Sequence, residues 1–138
     1  MELKRINDTI TVSGEIRPED MAQVKALGFA TVVNNRPDGE APGQPASAEI
    51  EAAAKAEGLD YRHIPLGRDG VRPDMVEATR KALDDSAGPV FAFCRSGTRS
   101  TTLWALSQAG TRPAADIIGE AAHAGYDISH LAAQLGRD

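Results

Sequence analysis

The chain has 138 residues, of which 41% are hydrophobic, and it carries one cysteine and a formal net charge of −5. This length and composition suit a single domain over residues 1–138 with a packed core, and the negative charge argues against a general binder of nucleic acid or anionic membranes. One cysteine excludes an intrachain disulfide, and the sequence has neither a membrane-length apolar run nor an apolar leader, so we expect a cytoplasmic protein.

Strands and helices alternate along the chain. β-Branched and apolar runs predict four strands, over residues 9–12, 29–33, 61–64 and 90–93. Apolar periodicity and start signals predict helices over residues 16–27, 47–57, 73–85 and 101–109, and further helices from residues 113 and 127. In the first helix Met21, Val24 and Leu27 are expected to form the apolar stripe. This order predicts a three-layer α/β/α sandwich with a mostly parallel sheet of four to five strands.

Two loops that follow predicted strands have unusual sequences. The segment from Asn34 to Pro45 has three prolines and two glycines, which makes it a loop, and its length is unusual for a compact α/β domain. The fourth strand ends at Cys94 and continues through Arg95-Ser96-Gly97-Thr98-Arg99-Ser100 into a helix. Because ligands of such sheets bind at the carboxyl ends of the strands, both loops are candidates for a binding site.

The loop after Cys94 has the composition of an anion cradle. A helix N-terminus, guanidinium groups and loop N–H groups each favour a cysteine thiolate over the thiol. Gly97 permits a tight turn, and the N–H groups with the planar fork of Arg99 suit a tetrahedral anion such as phosphate, sulfate or thiosulfate. The hydroxyl groups of Ser96, Thr98 and Ser100 are candidate donors to the sulfur or to a bound oxyanion. We therefore predict a nucleophilic Cys94, against the alternative of an inert core thiol.

The motifs together resemble a bacterial family, the phosphatase-like domain of beta-lactamase hydrolase-like proteins. The resemblance rests on Ser13-Gly14, on Asn35-Arg36-Pro37-Asp38-Gly39-Glu40, on His63-Ile64-Pro65, on Cys94 to Ser100, on Trp104 and on Ala124-Gly125-Tyr126-Asp127. It implies a dual-specificity-phosphatase-like fold whose four core strands lie in the order 1-4-2-3, with the Arg36–Glu40 loop at the border of the pocket. Because the family is sometimes joined to metallo-β-lactamase-type persulfide dioxygenases, it also implies such a dioxygenase as a candidate partner.

The spacing of the cysteine loop narrowly favours sulfur transfer. Four residues separate Cys94 from Arg99, where cysteine-based phosphatases have five, and this count resembles a single-domain rhodanese. A shorter loop makes a narrower cradle, which fits a terminal sulfur better than a phosphoryl group. In this hypothesis Cys94 takes sulfane sulfur from thiosulfate or a persulfide, Arg95 and Arg99 bind the anionic donor, and a thiol or cyanide accepts the sulfur.

The alternative is hydrolysis of phosphate monoesters through a phosphocysteine, which needs a general acid for the leaving group. Asp69 is the first candidate, because it follows the third strand as the general-acid loop of dual-specificity phosphatases does. Asp38 is the second, and either carboxylate is alternatively a turn residue. Arg36 is expected to bind the anion or to pair with Glu40. A third hypothesis is a non-catalytic redox or anion-binding module that uses Cys94.

The sequence favours a small anion as the partner and no cofactor. The three histidines have no metal-ligand spacing and no second cysteine joins them, so a zinc site is not expected. His63, at the end of the third strand, is expected to form a hydrogen bond with the backbone.

Overall fold

The computed structural model describes residues 1–136 and places a five-stranded sheet between two layers of helices. The strands are β1 (Leu3–Arg5), β2 (Ile10–Ser13), β3 (Thr31–Asn34), β4 (Asp60–His63) and β5 (Val90–Phe93). Their order across the sheet is β1-β2-β5-β3-β4, with β1 antiparallel to β2 and the other neighbours parallel. The predicted sandwich and the core order 1-4-2-3 are confirmed, the four predicted strands being β2 to β5.

Residues 1–136 also form six α-helices and two short 3₁₀ turns, and those after residue 97 follow the last strand. The α-helices are α1 (Met21–Ala26), α2 (Ser47–Ala56), α3 (Pro73–Asp85), α4 (Thr98–Ser107), α5 (Ala114–Ala124) and α6 (Ala132–Leu135), and the turns at Pro18–Asp20 and Ser129–Leu131 precede α1 and α6. Each helix of residues 1–136 is too short or too polar to cross a bilayer.

The centre of the sheet is buried on both faces. Phe91 and Phe93 of β5 pack with residues of α1 and α2, while Val90 and Ala92 belong to the cluster formed with the later helices. Successive side chains of a strand point to opposite faces, so a strand covered on both sides needs an unbroken apolar run. This explains why residues 90–93 show no alternation of apolar and polar residues.

The structure differs from the prediction in one strand that was not expected and in several boundaries, among them the end of α1 and the start of α4. Strand β1 is an exposed edge strand of three residues, too short and too charged to give an apolar pattern. Leu27 was predicted to belong to the apolar stripe of the first helix. This prediction is wrong, because Leu27 lies beyond the end of α1 and is 50% exposed. Helix α4 begins at Thr98, three residues earlier than expected, because Gly97 occupies its N-cap with a left-handed φ of 91°. Arg99 and Ser100 therefore lie in its first turn.

Candidate active site

Cys94 is the first residue after β5, the central strand of the sheet. Its side chain is fully buried but belongs to neither of the two hydrophobic clusters. Its backbone N–H donates to the carbonyl oxygen of Ser13 at the end of β2, at 3.3 Å. Its Sγ accepts a hydrogen bond from the backbone N–H of Gly97, at 3.0 Å. The sulfur is therefore turned towards its own loop and accepts from a backbone N–H at the start of α4.

Two neighbouring segments hold the cysteine loop from outside. The N–H of Glu15 donates to the carbonyl oxygen of Arg95 at 3.2 Å, and Gly14 is needed there because a Cβ at this position would lie 3.1 Å from the same oxygen. On the other side the hydroxyl of Tyr126 donates to the carbonyl oxygen of Ser96 at 3.0 Å. The loop is thus fixed by backbone and side-chain hydrogen bonds from two other segments of the chain.

Arg99 is held in one orientation by two acceptors. Its Nη1 donates to Glu40 Oε2 at 2.6 Å and to the carbonyl oxygen of Leu66 at 2.9 Å, and its Nη2 donates to Glu40 Oε1 at 2.8 Å. The hydrogen bonds that Arg99 donates to Glu40 are the main reason that the pKa of Arg99 is raised, and the neighbouring Cys94 adds to the shift. Of the five N–H donors of a guanidinium, Nε–H and one N–H of Nη2 make no hydrogen bond to a nitrogen or oxygen acceptor within residues 1–136.

Glu40 connects this arginine to a second one. Its Oε1 also accepts a hydrogen bond from Arg36 Nε at 3.0 Å. The hydrogen bond from Arg99, and then that from Arg36, lowers the pKa of Glu40 from 4.5 to about 2 against the opposing effect of desolvation. Glu40 is therefore a carboxylate throughout the neutral range, and it orients both guanidinium groups.

Arg36 is a buried bridge between two carboxylates. Its side chain is 4% exposed and pairs with Glu40 through Nε and with Glu15 through Nη1, at 3.2 Å. Of the two predicted roles, pairing with Glu40 is the one that the structure contains. Arg36 also lines a cavity of about 320 Å³ together with Glu15, Arg17 and residues 41–45. This cavity lies next to the cysteine loop, because Glu15 is hydrogen-bonded to Arg95.

The two candidate acids have different surroundings. Asp69 is exposed and lies in the turn that the N–H of Gly70 closes on the carbonyl oxygen of Gly67, at 3.2 Å. This turn follows Leu66, whose carbonyl oxygen binds Arg99. Asp38 instead accepts a hydrogen bond from the N–H of Ser47 at 2.8 Å, at the first residue of α2. Asp38 thus has the role of a helix-capping group, whereas the Asp69 side chain makes no hydrogen bond or ion pair within residues 1–136.

The remaining predicted residues are distributed over the loop and its first helical turn. Arg95, Ser96 and Thr98 are exposed, with Ser96 Oγ donating to Thr98 Oγ1 at 3.2 Å. Ser100 is buried, and its hydroxyl has no hydrogen-bond partner within residues 1–136. Arg95 and these hydroxyl groups therefore lie on the same loop as Cys94 or in the first turn of α4 that follows it.

His63 has the predicted structural role. Its Nε2 lies 3.0 Å from the carbonyl oxygen of Arg36, so the imidazole donates from this nitrogen to the loop that carries Glu40. In the described part of the chain no three His, Cys, Asp or Glu side chains are grouped so that they could hold a metal ion.

Three contributors to the site were not predicted from the sequence in these roles: Glu40 as the partner of Arg99, the carbonyl oxygen of Leu66, and Tyr126. Glu40 was expected to pair with Arg36 and, through the family resemblance, to lie in the loop that borders the pocket, whereas Tyr126 belonged only to the resemblance. Glu40 and Arg99 are 59 positions apart, so no local spacing connects them. The available signals were the length of the loop from Asn34 to Pro45 and the resemblance that places this loop beside the pocket.

A family model described as "Beta-lactamase hydrolase-like protein, phosphatase-like domain" matches residues 2–111. The chain belongs to this family. A beta-lactamase hydrolase-like protein from Agrobacterium fabrum is 38% identical over 109 residues, which are 79% of this chain and 25% of that protein. The phosphatase-like domain described here therefore spans about a quarter of the length of that relative.

Solved structures place the fold among phosphatases. A proposed phosphatase from Neisseria meningitidis is 29% identical, with a TM-score of 0.83 over 98% of this chain and 96% of that one. TpbA from P. aeruginosa, in complex with pTyr, is 17% identical, with a TM-score of 0.61 over 99% of this chain and 91% of that one. At this lower identity the likeness concerns the fold alone. The phosphatase-like fold that the motifs implied is thus confirmed.

Proposed function

We propose that the phosphatase-like domain hydrolyses phosphate monoesters, with Cys94 as the nucleophile, Arg99 as the oxyanion-binding residue and Asp69 as the general acid. The observation that carries this proposal is the way in which Arg99 is held. Glu40 and the carbonyl oxygen of Leu66 accept from three of its N–H donors, and within residues 1–136 the other two have no nitrogen or oxygen acceptor and belong to a guanidinium that neighbours Cys94. Two fixed donors in one plane match two oxygens of a phosphoryl group.

The proposed reaction has two steps. The Cys94 thiolate attacks phosphorus, the bond from phosphorus to the ester oxygen breaks, and Asp69 donates its proton to the leaving alkoxide or phenoxide. The resulting phosphocysteine is then attacked by water, whose proton returns to the Asp69 carboxylate, and inorganic phosphate leaves with Cys94 again a thiolate. Throughout, the free N–H groups of Arg99 and of the loop stabilise the negative charge on the phosphoryl oxygens.

Asp69 is preferred to Asp38 because of what each carboxylate already does. The Asp38 carboxylate already accepts a hydrogen bond from the N–H of Ser47. Protonation of Asp38 would weaken this hydrogen bond and so destabilise the start of α2. Asp69 has an exposed side chain on the turn that follows Leu66. A general acid has to exchange protons with substrate and water, which an exposed turn next to the oxyanion-binding arginine allows.

The family and the structural likeness support phosphate hydrolysis rather than the sulfur transfer that the loop length favoured. The spacing of four residues between Cys94 and Arg99 is the one observation in favour of sulfur transfer. Both reactions need a cysteine nucleophile and an anion cradle, so the assay has to follow the group that is transferred.

The test compares the two transfers on one preparation. We expect the chain to release phosphate from 4-nitrophenyl phosphate and to form no thiocyanate from thiosulfate and cyanide. Cys94→Ser should abolish the phosphate release. Asp69→Asn should lower kcat about 100-fold, as for loss of a general acid, whereas Asp38→Asn should mainly lower the melting temperature. Thiocyanate formation without phosphate release would overturn the proposal, and an unchanged kcat in Asp69→Asn would remove Asp69 from it.

A further inference from the structure

The peptide between Ser96 and Gly97 is held at both of its ends. Its carbonyl oxygen, on Ser96, accepts a hydrogen bond from the Tyr126 hydroxyl at 3.0 Å, and its N–H, on Gly97, donates to Cys94 Sγ at 3.0 Å. The peptide is trans, so its C=O and N–H point in opposite directions from one rigid plane. Fixing the carbonyl oxygen therefore also fixes the direction of the N–H that faces the sulfur.

The sequence leaves room for this contact at one position. Gly97 has a left-handed φ of 91°, and a Cβ built on it would overlap the hydroxyl of Tyr126. The missing side chain thus allows the phenol to approach the backbone of the cysteine loop. A larger residue at position 97 would separate the hydroxyl from the loop even if the backbone kept its conformation.

Tyr126 is itself positioned by rigid elements. Helix α5 ends at Gly125, which has a φ of 106°, and the N–H of Tyr126 donates to the carbonyl oxygen of Ala121 at 2.9 Å. Ile128, two residues further on, is buried in the core. Burial, and then the charge of Cys94, raises the pKa of Tyr126, so its hydroxyl keeps its proton and remains a donor at neutral pH.

We infer that Tyr126 is a positioning residue for the nucleophile: its hydroxyl fixes the Ser96–Gly97 peptide so that the Gly97 N–H faces the Cys94 sulfur. The inference rests on the proposed function of Cys94. Without the hydroxyl, the peptide is free to rotate about its flanking bonds. A half-turn of this peptide would replace the N–H that faces the sulfur by the partial negative charge of the Ser96 carbonyl oxygen.

The test uses the two tyrosines of the chain as a matched pair. Tyr126→Phe removes the hydroxyl and keeps the ring. Tyr61→Phe removes the other hydroxyl, which bonds to Asn34 and Ser47 and makes no hydrogen bond to the cysteine loop. Three quantities are measured for each variant: the rate of Cys94 alkylation by iodoacetamide at pH 7, kcat and KM for 4-nitrophenyl phosphate, and hydrogen exchange of the Gly97 amide.

In Tyr126→Phe we expect kcat and the alkylation rate to fall by about three- to ten-fold, the size of one hydrogen bond, with faster exchange at Gly97 and a melting temperature close to that of the parent. In Tyr61→Phe the melting temperature should fall while alkylation and exchange at Gly97 stay unchanged. Unchanged alkylation and exchange in Tyr126→Phe would overturn the inference. A parent chain that releases no phosphate, but whose alkylation and exchange still respond to Tyr126→Phe, would overturn the phosphatase proposal and leave the role of Tyr126 standing.

Discussion

Replacing Glu40 by Gln tests the orientation of Arg99 directly. The carboxylate accepts from both terminal nitrogens of Arg99, at 2.6 and 2.8 Å, and from Arg36 at 3.0 Å. An amide of the same shape keeps one acceptor oxygen but places N–H donors against the N–H groups of a guanidinium. We therefore expect Arg99 to lose its single orientation, whereas the positive charge that attracts the anion remains.

The size of the effect follows from the pKa of Glu40. A shift from 4.5 to about 2, at about 1.36 kcal/mol for each unit, sets a ceiling of about 3 kcal/mol on the interaction. The Glu40 side chain is 24% exposed, so screening by water reduces this to about 1–2 kcal/mol. Since about 1.4 kcal/mol corresponds to a factor of ten in rate, kcat should fall about ten-fold. KM should change less, because the net charge near the anion becomes more positive.

The assay is steady-state hydrolysis of 4-nitrophenyl phosphate at pH 7, with Glu15→Gln as the control. Glu15 pairs with Arg36 but has no hydrogen bond or ion pair with Arg99, and its side chain is 65% exposed. We expect less than a two-fold change in kcat for this control. A Glu40→Gln variant that melts like the parent and keeps its kcat would refute the view that Glu40 orients the catalytic guanidinium.

Four further predictions concern other parts of the fold. Arg99→Lys should lower kcat about 100-fold, because an ammonium cannot bind Glu40 and two phosphoryl oxygens in one plane. Gly97→Ala should lower both kcat and the melting temperature, since a left-handed alanine costs about 1–2 kcal/mol and its Cβ displaces the Tyr126 hydroxyl. Trp104→Ala should cost about 3–5 kcal/mol in urea unfolding, because Trp104 is fully buried. Leu27→Ser, at an exposed position, should change the unfolding free energy by less than about 0.5 kcal/mol. A Trp104 variant of parental stability, or a large loss at Leu27, would contradict the described packing.

The ion pair also predicts how stability depends on pH. Because the pKa of Glu40 is lowered on folding, from 4.5 to about 2, its contribution is complete above pH 4.5 and is lost as the pH falls towards 2. The difference in unfolding free energy between the parent and Glu40→Gln should therefore be constant from pH 5 to 8 and shrink below pH 4.5. Urea titrations at several pH values measure it, and a difference that grows at acid pH would contradict the sign.

The fold could be predicted from the sequence largely because its elements are encoded locally. The unbroken apolar run at residues 90–93 indicated a strand covered on both faces, and the structure buries all four of its residues. Strand β1 was not predicted from the sequence, because an exposed edge strand of three residues has no face that must be apolar. The predicted inclusion of Leu27 in the first helix was wrong, because the periodicity of apolar residues does not by itself show where a helix ends.

The sequence by itself predicted a nucleophile in an anion cradle, because Cys94, Gly97 and Arg99 lie within one short stretch that runs from the end of β5 into the first turn of α4. The tertiary structure alone decided what holds that cradle in place. Glu40 follows β3 and Tyr126 follows α5, and both reach the loop only because parallel strands deliver their carboxyl ends to one edge of the sheet and α5 packs behind α4. Strand order and helix packing depend on the whole core, so no spacing along the chain contains these contacts.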